Sequence, residues 1–177
     1  MKAVHSRFLA FSVMLFVFLT AFHMSGGKAE TVGRPCGSSP RQPSALADSS
    51  LRRLPSLHGV ALMNPETFNG KLMKVNTIQR AAPHALVVVT GWALDRDAMG
   101  RAGAVFAEVD GASPRIADYC GDRPDVARFY HNPTATHSQF SVRLPPASIN
   151  VVHTITFFVV NAARTGKWKG ATVVRFH

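Results

Sequence analysis

Two consecutive β-strand patterns between residues 87 and 111 restrict the possible folds of this chain more than any other feature of its sequence. Val87, Val88 and Val89 lie in an unbroken apolar run rich in β-branched residues, which favour a packed, pleated surface. Residues 104–110 instead alternate between the two faces expected of a half-buried strand. The Asp and Gly residues between the two segments favour turns. We therefore predict two strands joined by a long loop.

Similar patterns recur through the carboxyl-terminal part of the chain. Further strands are predicted over residues 72–79, 114–119, 139–144, 153–161 and 171–176, and one short helix over residues 123–130. About seven short strands with turn residues between them, over roughly 100 residues, are typical of an antiparallel β-sandwich. The predicted fold class is therefore all-β, with a single domain over residues 71–177.

The composition supports a folded core and indicates contact with anions. The chain has 177 residues, of which 46% are hydrophobic and 17% charged, so global disorder is not expected. Lys and Arg outnumber Asp and Glu by 20 to 10. Because the basic residues form no block, the charge favours non-specific contact with anionic polymers and predicts no specific nucleic-acid partner.

The amino terminus has the layout of a secretory signal. Lys2 and Arg7 precede the apolar residues 8–22, and small residues follow at 27–29. The apolar run is shorter than the ~20 residues that a membrane-spanning helix needs. We predict a cleaved signal peptide over residues 1–29 and a periplasmic or secreted protein. The alternative is a retained anchor, with membrane contact through residues 8–22 alone and the domain outside the cytoplasm.

Residues 30–70 are predicted to form a flexible linker, because they are rich in Ser and Pro and show no sustained apolar period. The chain has two cysteines, Cys36 in this linker and Cys120 in the domain. Exported proteins can keep disulfides, so one Cys36–Cys120 bridge is possible. Unpaired cysteines are the alternative, and no His partner marks either as a catalytic thiol.

Several short motifs of the domain together resemble a known module. They are Gly91-Trp92-Ala93-Leu94-Asp95, Val109-Asp110-Gly111, Arg123-Pro124-Asp125-Val126, Phe140 with Leu144-Pro145, and His153-Thr154-Ile155. In that order they resemble an immunoglobulin-like β-sandwich module of bacterial envelope and extracellular proteins. The resemblance covers roughly residues 72–177. It implies an immunoglobulin-like sandwich of about seven strands with one short helical insertion, acting as an accessory, non-catalytic module.

Two motifs invite a metal-site hypothesis. Asp95-x-Asp97-x-x-Gly100 has part of the oxygen-rich pattern of a Ca²⁺ loop, but it lacks the further ligands and the downstream Glu. A solvated turn is the preferred interpretation. His131, His137 and His153 lack metal-ligand spacing, and surface or capping roles are preferred. We predict no metal and no cofactor.

Four residues are candidates for ligand binding. Exposed aromatic side chains stack on sugar rings, and Trp168 lies between Lys167 and Lys169, which would attract an acidic glycan. Tyr130, at the end of the predicted helix, is the fourth candidate. Trp92 ends a strand and is assigned to the core.

The leading prediction is an exported, non-catalytic binding or structural module that contacts protein or envelope glycan, with no catalytic residues. One alternative is a small secreted hydrolase that uses His131, His137 and Asp residues from loops; it requires these groups to converge in one cleft. The other alternative is a basic polyanion-binding protein acting through Arg164, Lys167 and Lys169.

Overall fold

The structure is a computed structural model that describes residues 48–74, 77–82, 84–146, 148, 151–170 and 174–177. All of these residues fall within one structural unit. The predicted signal peptide over residues 1–29, and the linker as far as residue 47, lie outside the described residues. The predicted all-β class is confirmed, because strands far outnumber helices in the described part.

Eleven strands and two short α-helices form the described part of the chain. The strands are β1 (Ser56–Phe68), β2 (Lys71–Leu72), β3 (Ile78–Gln79), β4 (Val87–Leu94), β5 (Ala104–Val109), β6 (Arg115–Ile116), β7 (Asp118–Gly121), β8 (Gln139–Leu144), β9 (His153–Val160), β10 (Lys167–Gly170) and β11 (Val174–Phe176). The helices are α1 (Asp48–Arg53) and α2 (Pro124–Phe129), and Pro133–His137 is a 3-10 helix.

The strands are arranged in two hydrogen-bonded layers that share β1. In the first sheet the order is β1-β4-β8-β7, and every pair is antiparallel. In the second sheet β9 lies between β5 on one side and the successive strands β10 and β11 on the other. The first half of β1 extends the second sheet by pairing in parallel with β10, and β3 pairs in parallel with β11.

The core lies between the inner faces of these two sheets. The Phe140 ring of the first sheet and the Phe157 ring of the second have centroids 5.7 Å apart, and Phe68 meets Phe176 at 5.5 Å. Each outer face also carries one short helix. Leu51 of α1 packs with Phe106 and Val160 on the second sheet, and Val126 of α2 packs with Leu94 on the first.

Strand β1 is where the structure differs most from the prediction, since Ser56–Phe68 and α1 both lie within the predicted linker. The register of β1 shifts between Ser56 and Val60, where Gly59 has a φ of 88°. A second shift follows Pro65. Such bulges interrupt the two-residue alternation and place Pro where a strand tolerates it, so the usual sequence signals of a strand are missing.

Gly91 is required by the second of these bulges. A Cβ atom at Gly91 would lie 2.2 Å from the carbonyl oxygen of Asn64 and 2.7 Å from the Cα atom of Pro65. Neither backbone atom can move without breaking the pairing of β1 with β4. The glycine that precedes Trp92 is therefore needed for close contact between strands.

Other predicted elements are present, some with the predicted bounds and some shorter or divided. The helix predicted over residues 123–130 is α2, and the strand over 139–144 is β8. The single strand predicted over residues 114–119 is two strands, because β6 pairs with β5 of the second sheet and β7 with β8 of the first. The chain crosses between sheets at the buried Ala117. The strand predicted over 72–79 is likewise present only as the short β2 and β3.

Candidate functional site

Three aromatic side chains form a continuous surface on the outer face of the first sheet. Trp92 of β4 pairs with Asn64 and Gln139 on the neighbouring strands. The ring of Tyr130 meets that of Trp92 edge to face, with centroids 5.7 Å apart, and Phe129 meets Tyr130 at 5.0 Å. We call these three residues the aromatic cluster. Phe129 is 76% exposed, so the cluster ends in a ring that solvent reaches.

Helix α2 determines how the cluster is presented. Pro124 starts the helix, and the buried Val126 packs on the first sheet with Leu94. Tyr130 lies one turn after Val126 on the same helix face, so its ring also packs against the sheet. Phe129 is displaced from that face and points to solvent. The exposure of Phe129 therefore follows from its position on a helix that is already anchored.

A charged network fixes the start of α2 to β1. The Arg123 guanidinium donates to both Glu66 carboxylate oxygens, at 2.7 and 3.0 Å, and to both Asp125 carboxylate oxygens, at 2.9 and 2.7 Å. The bonds from Arg123 lower the pKa of Asp125 to about 2. In return, the bonds to Asp125 and Glu66 raise the pKa of Arg123. Bidentate pairs of this kind restrict orientation, so helix and strand are held in one geometry.

A shallow, open groove of about 650 Å³ runs between α2 and the 3-10 helix. Its lining includes Ala127, Arg128, His131, Asn132 and Thr136. The Asn132 amide donates to the carbonyl oxygens of Ala98 and Met99, and its side-chain oxygen accepts from the Thr134 N–H. The groove is therefore supported by the loop that follows β4. Arg128 on α2 and His131 just after it line one side of this groove, close in the chain to Phe129 and Tyr130 of the aromatic cluster.

The structure corrects the expected exposure of the two tryptophans. Trp168 is only 1% exposed, because on β10 it faces the core with Val159 opposite it, while Lys167 and Lys169 point outward. It is therefore not available at the surface for stacking on a sugar. Trp92, assigned to the core from the sequence, is instead half-buried within the aromatic cluster.

The other predicted binding residues are spread over the molecule. Tyr130 belongs to the aromatic cluster on the first sheet. Lys167, on the second, donates from Nζ to the Leu51 carbonyl oxygen at 2.5 Å and lies 5.9 Å from the centroid of the Phe158 ring. Lys169 is exposed on the same sheet, and Arg164 lies in the turn between β9 and β10 with a φ of 58°. The four predicted residues therefore do not form one site.

The histidines considered in the sequence lie at different places: His131 lines the groove beside α2, whereas His137 and His153 each pair with a separate aspartate. Nδ1 of His137 lies 2.8 Å from an Asp122 oxygen, beside the start of β8. Nδ1 of His153 lies 2.5 Å from an Asp110 oxygen at the start of β9, and this bond lowers the pKa of Asp110. Asp95 lies near the start of β8 and accepts from the backbone N–H of Ala162, just after the end of β9. The start of β8 is therefore close to the end of β9. The His137–Asp122 pair at the start of β8 and the His153–Asp110 pair at the start of β9 consequently lie at opposite ends of the sheets.

No metal-ligand cluster is present in the part of the chain that the structure describes. No three His, Cys, Asp or Glu side chains there are grouped to hold a metal ion. In the motif considered for Ca²⁺, the Asp95 carboxylate accepts from the backbone N–H groups of Asp97, Ala98 and Ala162. Its oxygens are therefore used to shape the loop. Ser138, beside His137, is fully buried.

The predicted membrane and disulfide contacts fall largely outside the described residues. Neither helix within the described ranges is long and apolar enough to cross a membrane, and residues 8–22 lie outside those ranges. Cys120 lies on β7, where its sulfur is 3.6 Å from a guanidinium nitrogen of Arg101. Cys36 lies outside the described residues, so the Cys36–Cys120 bridge stays a prediction.

Comparison with known proteins does not assign this chain to a family. No protein-family model matches the chain, and no curated protein sequence is detectably similar to it. The function must therefore be inferred from the surface itself. Tyr130 is a candidate from the sequence and Phe129 is not. Two consecutive aromatic residues at a helix end are nevertheless a usable signal of exposure, because both cannot face the sheet.

Proposed function

We propose that the domain is an immunoglobulin-like β-sandwich. The order β1-β4-β8-β7 corresponds to strands A-B-E-D of that fold, and β5-β9-β10 corresponds to C-F-G. The transfer of β1 from one sheet to the other and the crossing from β6 to β7 agree with this assignment. The assignment also explains why the motifs that resemble such a module lie at strand ends and turns.

We further propose that this domain is a non-catalytic binding module that contacts glycan through the aromatic cluster. The observation that carries the proposal is the 76% exposure of Phe129 beside the half-buried rings of Tyr130 and Trp92. Isolated apolar residues are common on surfaces, whereas a contiguous aromatic group with a polar rim is typical of a binding site. A sugar ring has an apolar face that can stack on such a group.

The setting of the cluster favours binding without rearrangement. Arg123 fixes the start of α2 to Glu66 of β1, and Val126 fixes its middle to the sheet. A site held rigidly before contact loses less entropy on binding. Arg128, exposed and next to Phe129 on α2, can donate to sugar hydroxyls. The surrounding geometry thus suits a polar ligand with apolar ring faces.

The test is glycan binding by the full-length chain and by two matched variants. Phe129→Ala removes the exposed ring, and Leu72→Ala removes an equally exposed apolar side chain on β2. We expect ligands found on a glycan array to bind the Phe129 variant about five- to tenfold more weakly, as for loss of one stacking contact. Binding by the Leu72 variant should be unchanged.

Two results would reject the glycan assignment. One is equal weakening in both variants, which would show that general surface apolarity is responsible. The other is failure of every immobilised glycan to bind the folded wild-type chain, which would leave a protein ligand as the alternative for this surface.

We also propose that the protein is exported, on the strength of the charged, apolar and small-residue segments of residues 1–29. Determination of the amino-terminal residue of the protein isolated from cell envelope and culture medium tests this proposal. A mature chain that begins near residue 30 supports cleavage. Recovery of the intact chain from the cytosol contradicts export.

A further inference from the structure

The outer face of the second sheet carries basic side chains that point away from the core. Val174 and Trp168 face inward, so Arg175 and Lys169, next to them on the two strands that lie on the same side of β9, face outward. Arg175 lies opposite Thr154 of β9, and Lys169 lies opposite Phe158. Both basic side chains are exposed, and neither forms a salt bridge with a carboxylate of the described residues.

The neighbours of these two cations are neutral or apolar. Thr154 and Thr156 present hydroxyl groups from β9. Val60, 54% exposed, lies beside Lys169 on the outer strand, and Ile78, 41% exposed, lies beside Arg175. Two carboxylates lie near this row: Glu108 of β5 is opposite Thr156, and the Asp110 carboxylate accepts from the Thr154 N–H and contacts His153. With Lys167 included, the cations on this face still outnumber these two carboxylates.

Lys167 is oriented to the same side but is already engaged. Its Nζ atom donates to the Leu51 carbonyl oxygen and lies over the Phe158 ring. These contacts fix the carboxyl end of α1 to the sheet. The available cations are therefore Lys169 and Arg175, arranged along one strand direction, rather than the Lys167–Lys169 pair expected from the sequence.

We propose that this face binds a linear anionic polysaccharide along the line of β10 and β11. Lys169 and Arg175 lie opposite Phe158 and Thr154, which are four residues apart on β9, so at ~3.3 Å per residue the two cations form a row of roughly 13 Å rather than a pocket. A linear chain with repeated sulfate or carboxylate groups complements a row, and threonine hydroxyls beside it can bond to sugar oxygens. This site is separate from the aromatic cluster, which lies on the opposite sheet.

Charge argues for an anionic occupant rather than a second copy of the chain. The chain carries a formal net charge of +10, so two copies repel each other, and joining two such faces would bring like charges together. Complementary charge also speeds association and makes it sensitive to salt. An anionic polymer is attracted both by the row and by the whole molecule.

The test compares two double charge reversals in the full-length chain. Lys169→Glu with Arg175→Glu alters the proposed row, and Lys71→Glu with Lys74→Glu makes the same change in net charge at exposed positions around β2. The probes are dextran sulfate and uncharged dextran. We expect the first double variant to bind dextran sulfate at least about tenfold more weakly at moderate salt and to show a shallower salt dependence. The control should lose less than about threefold.

Each other outcome contradicts the proposal. Equal losses in the two double variants would assign the binding to net charge alone. Equally tight binding of poly-L-glutamate or of anionic lipid vesicles, with the same dependence on Lys169 and Arg175, would replace the polysaccharide by an acidic protein or a membrane. Uncharged dextran should bind the wild type and the Lys169/Arg175 double variant alike, so failure here is distinct from failure of the aromatic cluster. Melting temperatures of all variants establish that each is folded.

Discussion

The carboxylate of Asp95 accepts a hydrogen bond of 2.6 Å from the backbone N–H of Ala162. This bond joins the loop after β4, in the first sheet, to the turn after β9, in the second. The other carboxylate oxygen accepts from the N–H groups of Asp97 and Ala98, each at 2.9 Å. Asp95 is 4% exposed, so water does not replace these acceptors. One side chain thus connects the ends of both sheets.

We expect Asp95→Ala to lower the free energy of unfolding by about 2–4 kcal/mol, because it leaves buried N–H groups without their acceptor. Asp97→Ala, at an exposed position of the same loop, should change it by less than about 0.5 kcal/mol. Chemical denaturation of both variants measures the difference. Similar stabilities would show that the loop finds other acceptors.

Trp168 should behave as a core residue. Replacement by Ala removes a fully buried side chain, and such changes cost about 3–5 kcal/mol. Lys169→Ala, one residue further along β10 and exposed, should be nearly neutral. Thermal and denaturant unfolding measure both effects. A stable Trp168→Ala protein that had lost only ligand binding would contradict the buried position and restore the surface role.

Tyr119 should limit stability at alkaline pH. Its hydroxyl donates to the Ala93 carbonyl oxygen at 2.7 Å and accepts from the Ala102 N–H, and burial raises the pKa of Tyr119 to about 12. The pKa of Tyr119 in the folded protein lies above the ordinary value of 10.0. The contribution of the buried neutral hydroxyl to folding stability is therefore complete below pH 10 and is lost as the pH rises toward 12.

We therefore expect the unfolding free energy of the wild type to fall between pH 10 and 12, with a smaller decline in Tyr119→Phe. Denaturant unfolding across that range provides the measurement, and the ultraviolet absorbance of phenolate reports ionisation. Parallel declines in the two proteins would exclude Tyr119 as the cause.

Asp125 should contribute to acid sensitivity. Hydrogen bonds from Arg123 lower the pKa of Asp125 from 3.8 to about 2 in the folded protein. Its contribution to stability is therefore present above pH 4 and is lost as the pH falls toward 2. We expect Asp125→Asn to be less stable than the wild type at pH 5 and the difference to shrink in acid. A difference that is constant from pH 5 to 2 would contradict this assignment.

The sequence predicts correctly those strands in which buried and exposed side chains alternate along the whole length. Strand β8 is buried on one face and keeps the two-residue alternation, so its bounds agree with the prediction. Strand β1 changes partners midway and contains two bulges, at Gly59 and after Pro65. Partner exchange is set by tertiary contacts that no local window contains, which is why β1 was assigned to the linker.

The binding surface was predicted less well than the fold for a similar reason. Trp168 has charged neighbours on both sides, which favours a polar turn in a local view, yet on a strand those neighbours point to the opposite face. Trp92 follows a buried apolar run, but it lies on the outer face of β4, where the ring of Tyr130, just after α2, packs against it. Whether a strand tryptophan is exposed for ligand binding or buried in the core depends on which face of its strand is buried.

The parallel pairing of β1 with β10 has a mechanical consequence. The amino end of β1 and the carboxyl end of β11 leave their sheet in opposite directions, so tension between the chain termini slides β1 along β10. Sliding strains all hydrogen bonds of that pair together, whereas peeling an antiparallel hairpin breaks them one after another. When the domain is pulled by its two termini, we therefore expect it to unfold in a single abrupt step, which single-molecule extension can record.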